Sequence, residues 1–230
     1  MVEMVNVKGL WVPVWEENRF AEYPEFEGAP NLDVQKTSIA MSHCRSRRVA
    51  IDVGAHIGAT ARYLSGCFEQ VIALEAVPET FEVLLRNVSH LKNVKTLNLA
   101  ASSASCELYF ESLRTHSQIA RVLLEDESLA FGEESSRVGP VKAIPLDSLG
   151  LEDVDFIKID VEGWELDVVK GAEDTIRRCH PVILIEQGGN ETKYHGRPRD
   201  EASRALEALG MRSVPGFKFK IDRVFVFPPG

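Results

Sequence analysis

The stretch Val49-Ala50-Ile51-Asp52-Val53-Gly54-Ala55-His56-Ile57-Gly58 constrains this chain more than any other. Apolar and β-branched residues run into an acid, then into two glycines four positions apart, then into Ala59-Thr60-Ala61-Arg62-Tyr63-Leu64. That order reads as a buried strand, a tight turn and a helix. Glycine at such a turn tolerates positive φ and leaves no side chain between backbone and ligand, so an adenosine-bearing molecule can lie against the main chain. An ordinary strand-to-helix turn produces the same pattern, and only residues elsewhere in the chain can separate the two readings.

From Val49 onward strands and helices alternate, the signature of βαβ units and a mainly parallel sheet. Val49–Val53, Gln70–Glu75, Val94–Leu99, Val154–Asp160 and Pro181–Glu186 read as strands. Helices are expected from Ile57 to Cys67, beyond Pro78, from Trp164 to Cys179 and from Glu201 to Leu209, where Gly210 supplies the stop. Glu107–Glu111 and Val141–Leu146 read as paired strands outside the crossovers, with a long polar segment, Ser112 to Gly139, between them. Met211–Val214 and Ile221–Phe227 read as a terminal antiparallel pair. The first 45 residues do not share the pattern: Leu10 to Trp15 is a short extended segment, Glu16 to Pro30 an acidic and aromatic cover, and Asn31 to Ala40 a short helix capped by Asn31. The chain therefore divides into an N-terminal extension, 1–45, packing on or capping a site, and one domain, 46–230.

Composition narrows the class. At 230 residues, with 44% hydrophobic and 27% charged, the chain suits one large α/β domain. No apolar run approaches a membrane span, and the N-terminus lacks the pattern of a signal peptide. Cys44, Cys67, Cys106 and Cys179 show no C-x-x-C spacing, which argues against zinc and disulfides and for a reducing, cytoplasmic setting. A net charge of −9 disfavours long nucleic acid as a partner, although Arg45-Ser46-Arg47-Arg48 and the group Lys218, Lys220, Arg223 are locally basic. Oligomeric state has no signature here.

In a parallel sheet the carboxyl ends of the strands share one rim, where ligands bind. Asp52, Glu75, Asp160 and Glu186 each fall at such an end. Carboxylates seldom stay in apolar strands without partners, so four on one rim imply hydroxyls, ammonium groups, a metal or proton transfer. Glu75 stands about twenty residues beyond Gly54, the place from which a carboxylate accepts ribose hydroxyls. The turn offers only Gly54 and Gly58 where a dinucleotide fingerprint wants G-x-G-x-x-G, which favours a single adenosine with a non-phosphate tail.

Asp52-Val53-Gly54-Ala55-His56-Ile57-Gly58, Glu75-Ala76-Val77-Pro78, Asn98-Leu99-Ala100-Ala101-Ser102 and Phe156-Ile157-Lys158-Ile159-Asp160-Val161-Glu162-Gly163-Trp164-Glu165 together resemble the FkbM-type methyltransferases, a branch of the class I S-adenosylmethionine-dependent enzymes. The resemblance covers about Val49 to Glu186. It implies an α/β, Rossmann-like seven-stranded, mostly parallel sheet with helices on both faces and an antiparallel C-terminal hairpin. It also implies S-adenosylmethionine as cofactor, with Gly54 and Gly58 bordering its methionine part, Glu75 at the ribose, and Ala101 and Ser102 at the adenine edge. Asp52, which could help to hold the cationic end, His56, Ala76 and Asp160 complete the candidate cofactor residues. Family members commonly have Asn where this chain has His56. Asp160 is the residue expected nearest the methyl acceptor. With Glu186-Gln187 it also resembles the magnesium arrangement of catechol-type O-methyltransferases, in which oxygen ligands suit a hard cation. His116 and His195 are the free candidates for a general base; Lys158 has no assigned role, and Glu162 and Glu165 fit the start of a helix.

The expected activity is methyl transfer to oxygen of a small-molecule or sugar-like acceptor. Methylation of a nucleotide or nucleic acid is the alternative within that chemistry, disfavoured by the absence of an Asp/Asn-Pro-Pro-aromatic run after the fourth strand. A non-catalytic cofactor-binding protein of the same fold is the alternative outside it.

Overall fold

The computed structural model describes residues 2–22, 32–113, 116–124, 127–217 and 219–228. Asn31, the expected helix cap, and Lys218, of the basic group, lie outside the described residues.

A seven-stranded sheet forms the centre. Its parallel part comprises β3 (Val49–Val53), β4 (Gln70–Leu74), β5 (Val94–Leu97), β10 (Val154–Ile159) and β11 (Val182–Glu186). The short β12 (Arg212–Ser213) and β13 (Asp222–Val226) complete the order β12-β13-β11-β10-β3-β4-β5. β13 runs antiparallel to both β11 and β12, so the sheet is mixed. Strand alternation divides the core. Val49, Ile51, Val53, Ile157 and Ile159 pack with Leu166, Val169 and Ile176 of α5 (Glu165–Lys170) and α6 (Glu173–Cys179) and with Leu206 of α8 (Glu201–Ala208). Ala50, Ala73, Phe156 and Leu184 pack on the other side with Met41 of α2 (Leu32–Met41), Leu64 of α3 (Ala59–Ser65) and Leu84 of α4 (Pro78–Val88). Pro78 opens α4, as its fixed φ and missing N–H favour.

Three features depart from the sequence reading. The single helix expected over Trp164 to Cys179 is two, α5 and α6, parted at Gly171, where a Cβ would stand 2.0 Å from the Ser102 carbonyl oxygen. The strands expected at Glu107–Glu111 and Val141–Leu146 do pair, within β7 (Cys106–Leu113) and β9 (Ser135–Ile144), but the polar segment between them is no simple connection. It supplies β8 (Ala120–Leu123) and the first half of β9, which join β6 (Ala100–Ala101) in a second sheet of order β6-β9-β7-β8. The segment expected to be a loop after β11 holds the short α7 (Asn190–His195). Arg121 of β8, 1% exposed, ties the second sheet together by an ion pair of 2.8 Å to the buried Glu111 of β7.

The N-terminal residues form a hairpin, β1 (Met4–Val7) and β2 (Leu10–Pro13), and then α1 (Glu17–Glu22). The Asn87 side chain of α4 fastens this hairpin by accepting the Trp11 N–H at 2.8 Å and donating to the Trp11 carbonyl at 2.8 Å. No described helix is long and apolar enough to cross a membrane. The basic groups are largely engaged within the fold: Arg48 is paired with Asp153 and Asp155, Arg47 donates to the Met41 carbonyl, and Arg223 to that of Asp222.

Candidate active site

A cavity of about 300 Å³ opens at the carboxyl ends of β3, β4, β10 and β11, within the range of small-molecule sites. Its floor is the turn after β3. Gly54 has φ +78, and a Cβ there would stand 1.8 Å from the Asp160 carbonyl oxygen, so the turn rests directly on the end of β10. Gly58 is not on the wall. Its φ is +89 and a Cβ would meet Leu84 Cδ1 at 2.6 Å, which makes it a contact between α3 and α4.

Glu75 lines the cavity at the end of β4 and is 8% exposed. Its two oxygens accept the His56 and Val77 backbone N–H groups, each at 2.9 Å. Burial outweighs these bonds and pushes its carboxyl up to about 7. Ala76 and Ala101 line the same space, as do Leu99 and Ala100 and, from the second sheet, Phe110, Ala120 and Val122. Ser102 stands behind this wall, 3% exposed, and accepts the Trp164 indole N–H at 3.3 Å.

Asp160, Glu162 and Glu186 line the same cavity. Lys158, 4% exposed, donates to Asp160 Oδ2 at 3.0 Å and pairs at 3.7 Å with Asp52 Oδ1. Burial opposes ionisation of Asp160, but the Lys158 and Lys36 ammonium groups win and hold its carboxyl below the ordinary value. Asp52 is fully buried beneath the cavity wall, where desolvation raises its carboxyl despite Lys158. Lys36 of α2 reaches Asp222 at 2.8 Å, Asp33 at 3.0 Å and Glu186 at 3.3 Å. Burial and the nearby Asp160 push Glu186 up to about 7. Burial, Asp160 and Glu186 push Glu162 up to about 8. Glu165 instead accepts the Gly163 N–H at 2.9 Å at the start of α5, the expected helix-start role.

His56 lines the cavity, but its ring is committed to the protein, with Nε2 2.6 Å from Ser117 Oγ. Ser117 in turn donates its backbone N–H and its hydroxyl to Glu16, at 2.5 and 2.8 Å. The hydroxyl has one proton, so Nε2 of the neutral ring is the donor to Ser117. Burial, then Arg19, holds the imidazole down at about 3. The two histidines expected as candidates for a base do not line the cavity. His116 is exposed beside Ser117 in the turn from β7 to β8, and His195 lies behind Trp164, ring centroids 5.3 Å apart.

The residues do not fit a hard divalent cation. Gln187 Oε1 accepts the Ser203 hydroxyl and its Nε2 donates to the Arg199 carbonyl at 3.0 Å, while ammonium groups already occupy the space beside Asp160 and Glu186. Among the described residues no group of three or more His, Cys, Asp and Glu side chains is arranged to hold a metal.

Sequence reasoning missed Lys158 as a site residue, although two positions apart on a strand means one face, and Lys158 and Asp160 share it. It also missed Asp33, which pairs with Lys36 one helical turn away, and Lys36, Glu16 and Asp222, whose contacts cross the chain.

A cavity on the carboxyl rim of an α/β sheet, bounded by a glycine turn and a carboxylate at the end of the next strand, defines a protein of methyltransferase-like fold. Residues 52–212 match the model of the methyltransferase FkbM domain, and the chain belongs to that family. It is 29% identical to the methyltransferase sdnD of Sordaria araneosa, over 59% of this chain and 64% of that protein. It is 27% identical to the hexuronic acid methyltransferase AglP of Haloferax volcanii, over 68% of this chain and 63% of that protein. The chain thus spans less than two thirds of the length of either relative. An FkbM methyltransferase structure from Methylobacillus flagellatus KT shares the fold at TM-score 0.51 and 18% identity, over 79% of this chain and 44% of that one. The N-methyltransferase NodS from Bradyrhizobium japonicum WM9 shares it at TM-score 0.50 and 9% identity, over 85% and 93%.

Proposed function

We propose that this chain is an S-adenosylmethionine-dependent methyltransferase acting on a hydroxyl of a small-molecule or sugar-like acceptor. Glu75 carries the reading. A carboxylate spaced about twenty residues from the glycine turn, buried, and held by two backbone N–H groups at the cavity wall retains lone pairs that can accept ribose hydroxyls. Gly54 lines the same cavity with its missing side chain turned to the Asp160 carbonyl, which lets the turn sit against the end of β10, and Ala76, Ala101 and Leu99 supply an apolar slot suited to an adenine edge. Asp160, Glu162 and Glu186 outnumber Lys158 on the cavity lining, an acidic balance that suits a cationic cofactor and a hydroxyl-bearing acceptor.

When bound, the cofactor supplies an electrophilic methyl group on a sulfonium. The chain's own work is then to hold the acceptor in line, exclude water and receive the hydroxyl proton. The N-terminal extension takes part as a cap: Phe20 and Asp33 line the cavity, Glu16 is fastened to Ser117, and Lys36 to Glu186 and Asp222. The names of the relatives support methyl transfer and, for AglP, a sugar-acid acceptor. Incubation with S-adenosylmethionine and a panel of glycosides, uronates and phenols, read by mass spectrometry, tests it. Methylated hydroxyls are the expected result, and modification of nitrogen alone or of no compound counts against the acceptor class.

A further inference from the structure

Four described non-glycine residues have positive φ: Lys8, His56, Glu162 and His180. Lys8 sits in the β1–β2 turn and His180 ends α6, where such a conformation closes a turn or caps a helix. His56 and Glu162 line the cavity, and left-handed backbone at a non-glycine residue gathers at functional sites.

Glu162, at φ 54, is held from both sides. The next residue, Gly163, packs so closely on the start of α7 that a Cβ would stand 2.9 Å from the Asn190 carbonyl carbon and the Glu191 nitrogen. Two residues earlier, the Asp160 carbonyl oxygen is the surface on which the Gly54 turn rests. Glu162 is thereby fixed beside the turn that carries the proposed cofactor site.

Its partners set it apart from the other cavity carboxyls. Glu75 is committed to two backbone N–H groups, Asp160 to Lys158, and Glu186 to Lys36. Glu162 has the Asn190 side-chain amide as its hydrogen-bond donor. The charges it feels are carboxylates: Asp160 from β10, Glu186 from β11 and Glu165 from α5, with Lys158 and Lys36 spent on the first two.

We propose that Glu162 is the general base of the site, a carboxyl that stays protonated in the empty cavity and gives up its proton when a sulfonium cation enters. The proposal rests on the methyltransferase reading. In the transfer, Glu162 takes the acceptor hydroxyl proton as the new oxygen–carbon bond forms and the methyl–sulfur bond breaks, leaving a methyl ether, a neutral thioether and a protonated carboxyl. Burial among like charges, which lifts Glu162 to about 8, matches a base working near neutral pH.

Isothermal titration at neutral pH in phosphate and in Tris, whose ionisation enthalpies differ, reads proton release without any acceptor. S-adenosylmethionine, a cation at sulfur, is expected to release protons on binding, and S-adenosylhomocysteine, its neutral thioether counterpart, fewer. Glu162→Gln should erase that difference, and Glu186→Gln should keep most of it. Equal release by the two ligands, or a difference that survives in Glu162→Gln, overturns the proposal while leaving cofactor binding intact. If neither ligand binds, the methyltransferase reading falls and takes the proposal with it. Should Glu162→Gln not fold, Asn190→Leu removes the amide partner and should move the cation-specific release to higher pH, and an unmoved release overturns the assignment.

Discussion

Lys158 and Asp160 stand two residues apart at the end of β10, and the Lys158 ammonium lies 3.0 Å from Asp160 Oδ2. The same ammonium is 3.7 Å from the fully buried Asp52, so one cation serves two carboxylates of the strand-end rim. Breaking a buried pair by removing one partner costs more than the pair contributes, because the remaining charge stays desolvated. Lys158→Met is expected to destabilise the fold by about 3 kcal/mol in urea unfolding, and a loss near zero would show that the pair is solvated.

The contact between the turn after β3 and the end of β10 depends on the absence of a side chain at Gly54. Gly54→Ala places a Cβ against the Asp160 carbonyl oxygen and puts alanine at φ +78. Left-handed strain and overpacking add, so a loss of about 3 kcal/mol or more is expected in thermal or denaturant unfolding. Wild-type stability in the variant would mean that the turn can move off β10.

The chain from Glu16 through Ser117 to His56 joins the N-terminal segment, the second sheet and the glycine turn. Ser117→Ala leaves a buried carboxylate oxygen and an imidazole N–H without this partner, a cost of about 1–3 kcal/mol. Hydrogen exchange of the α1 amides should speed up while that of β3 and β10 does not. Unchanged exchange in α1 would show that the clasp does not hold the segment.

Sequence spacing made the rim legible because strand-end acids and a glycine turn are local features: Gly54, Glu75 and Asp160 lie on the cavity wall where the pattern puts them. It failed for partners brought together by tertiary packing. No local pattern links Lys36 to Glu186 or Glu16 to Ser117, which are 150 and 101 residues apart. Residue type alone nominates His116 and His195, and the fold leaves one on the surface and the other behind Trp164. Sequence places Glu162 near a helix start but does not reveal that its backbone is left-handed.

Three cavity carboxyls hold protons more tightly in the folded chain than in the unfolded one: Glu75 and Glu186 up to about 7, and Glu162 up to about 8. The stability tied to them is complete below the ordinary value of 4.5 and is lost as pH rises through 7 to 8. His56, held down at about 3, acts in the opposite direction, but its contribution is complete above its ordinary 6.5. Unfolding free energy should therefore fall from about pH 4.5 to 8, with His56 offsetting part of the fall only below 6.5, by at most about 1.4 kcal/mol per pH unit for each group, and level off above the folded values. Glu162→Gln should flatten that decline, and a rising or level profile in the wild type would contradict the assignment.

Titration of the folded protein with S-adenosylhomocysteine, wild type against Glu75→Ala, tests the central claim most directly. Saturable binding at one site is expected, weakened by about 1.5–3 kcal/mol when Glu75, the carboxylate proposed to meet the ribose, is removed. Absence of binding at high micromolar ligand, or equal affinity in the two proteins, would contradict it.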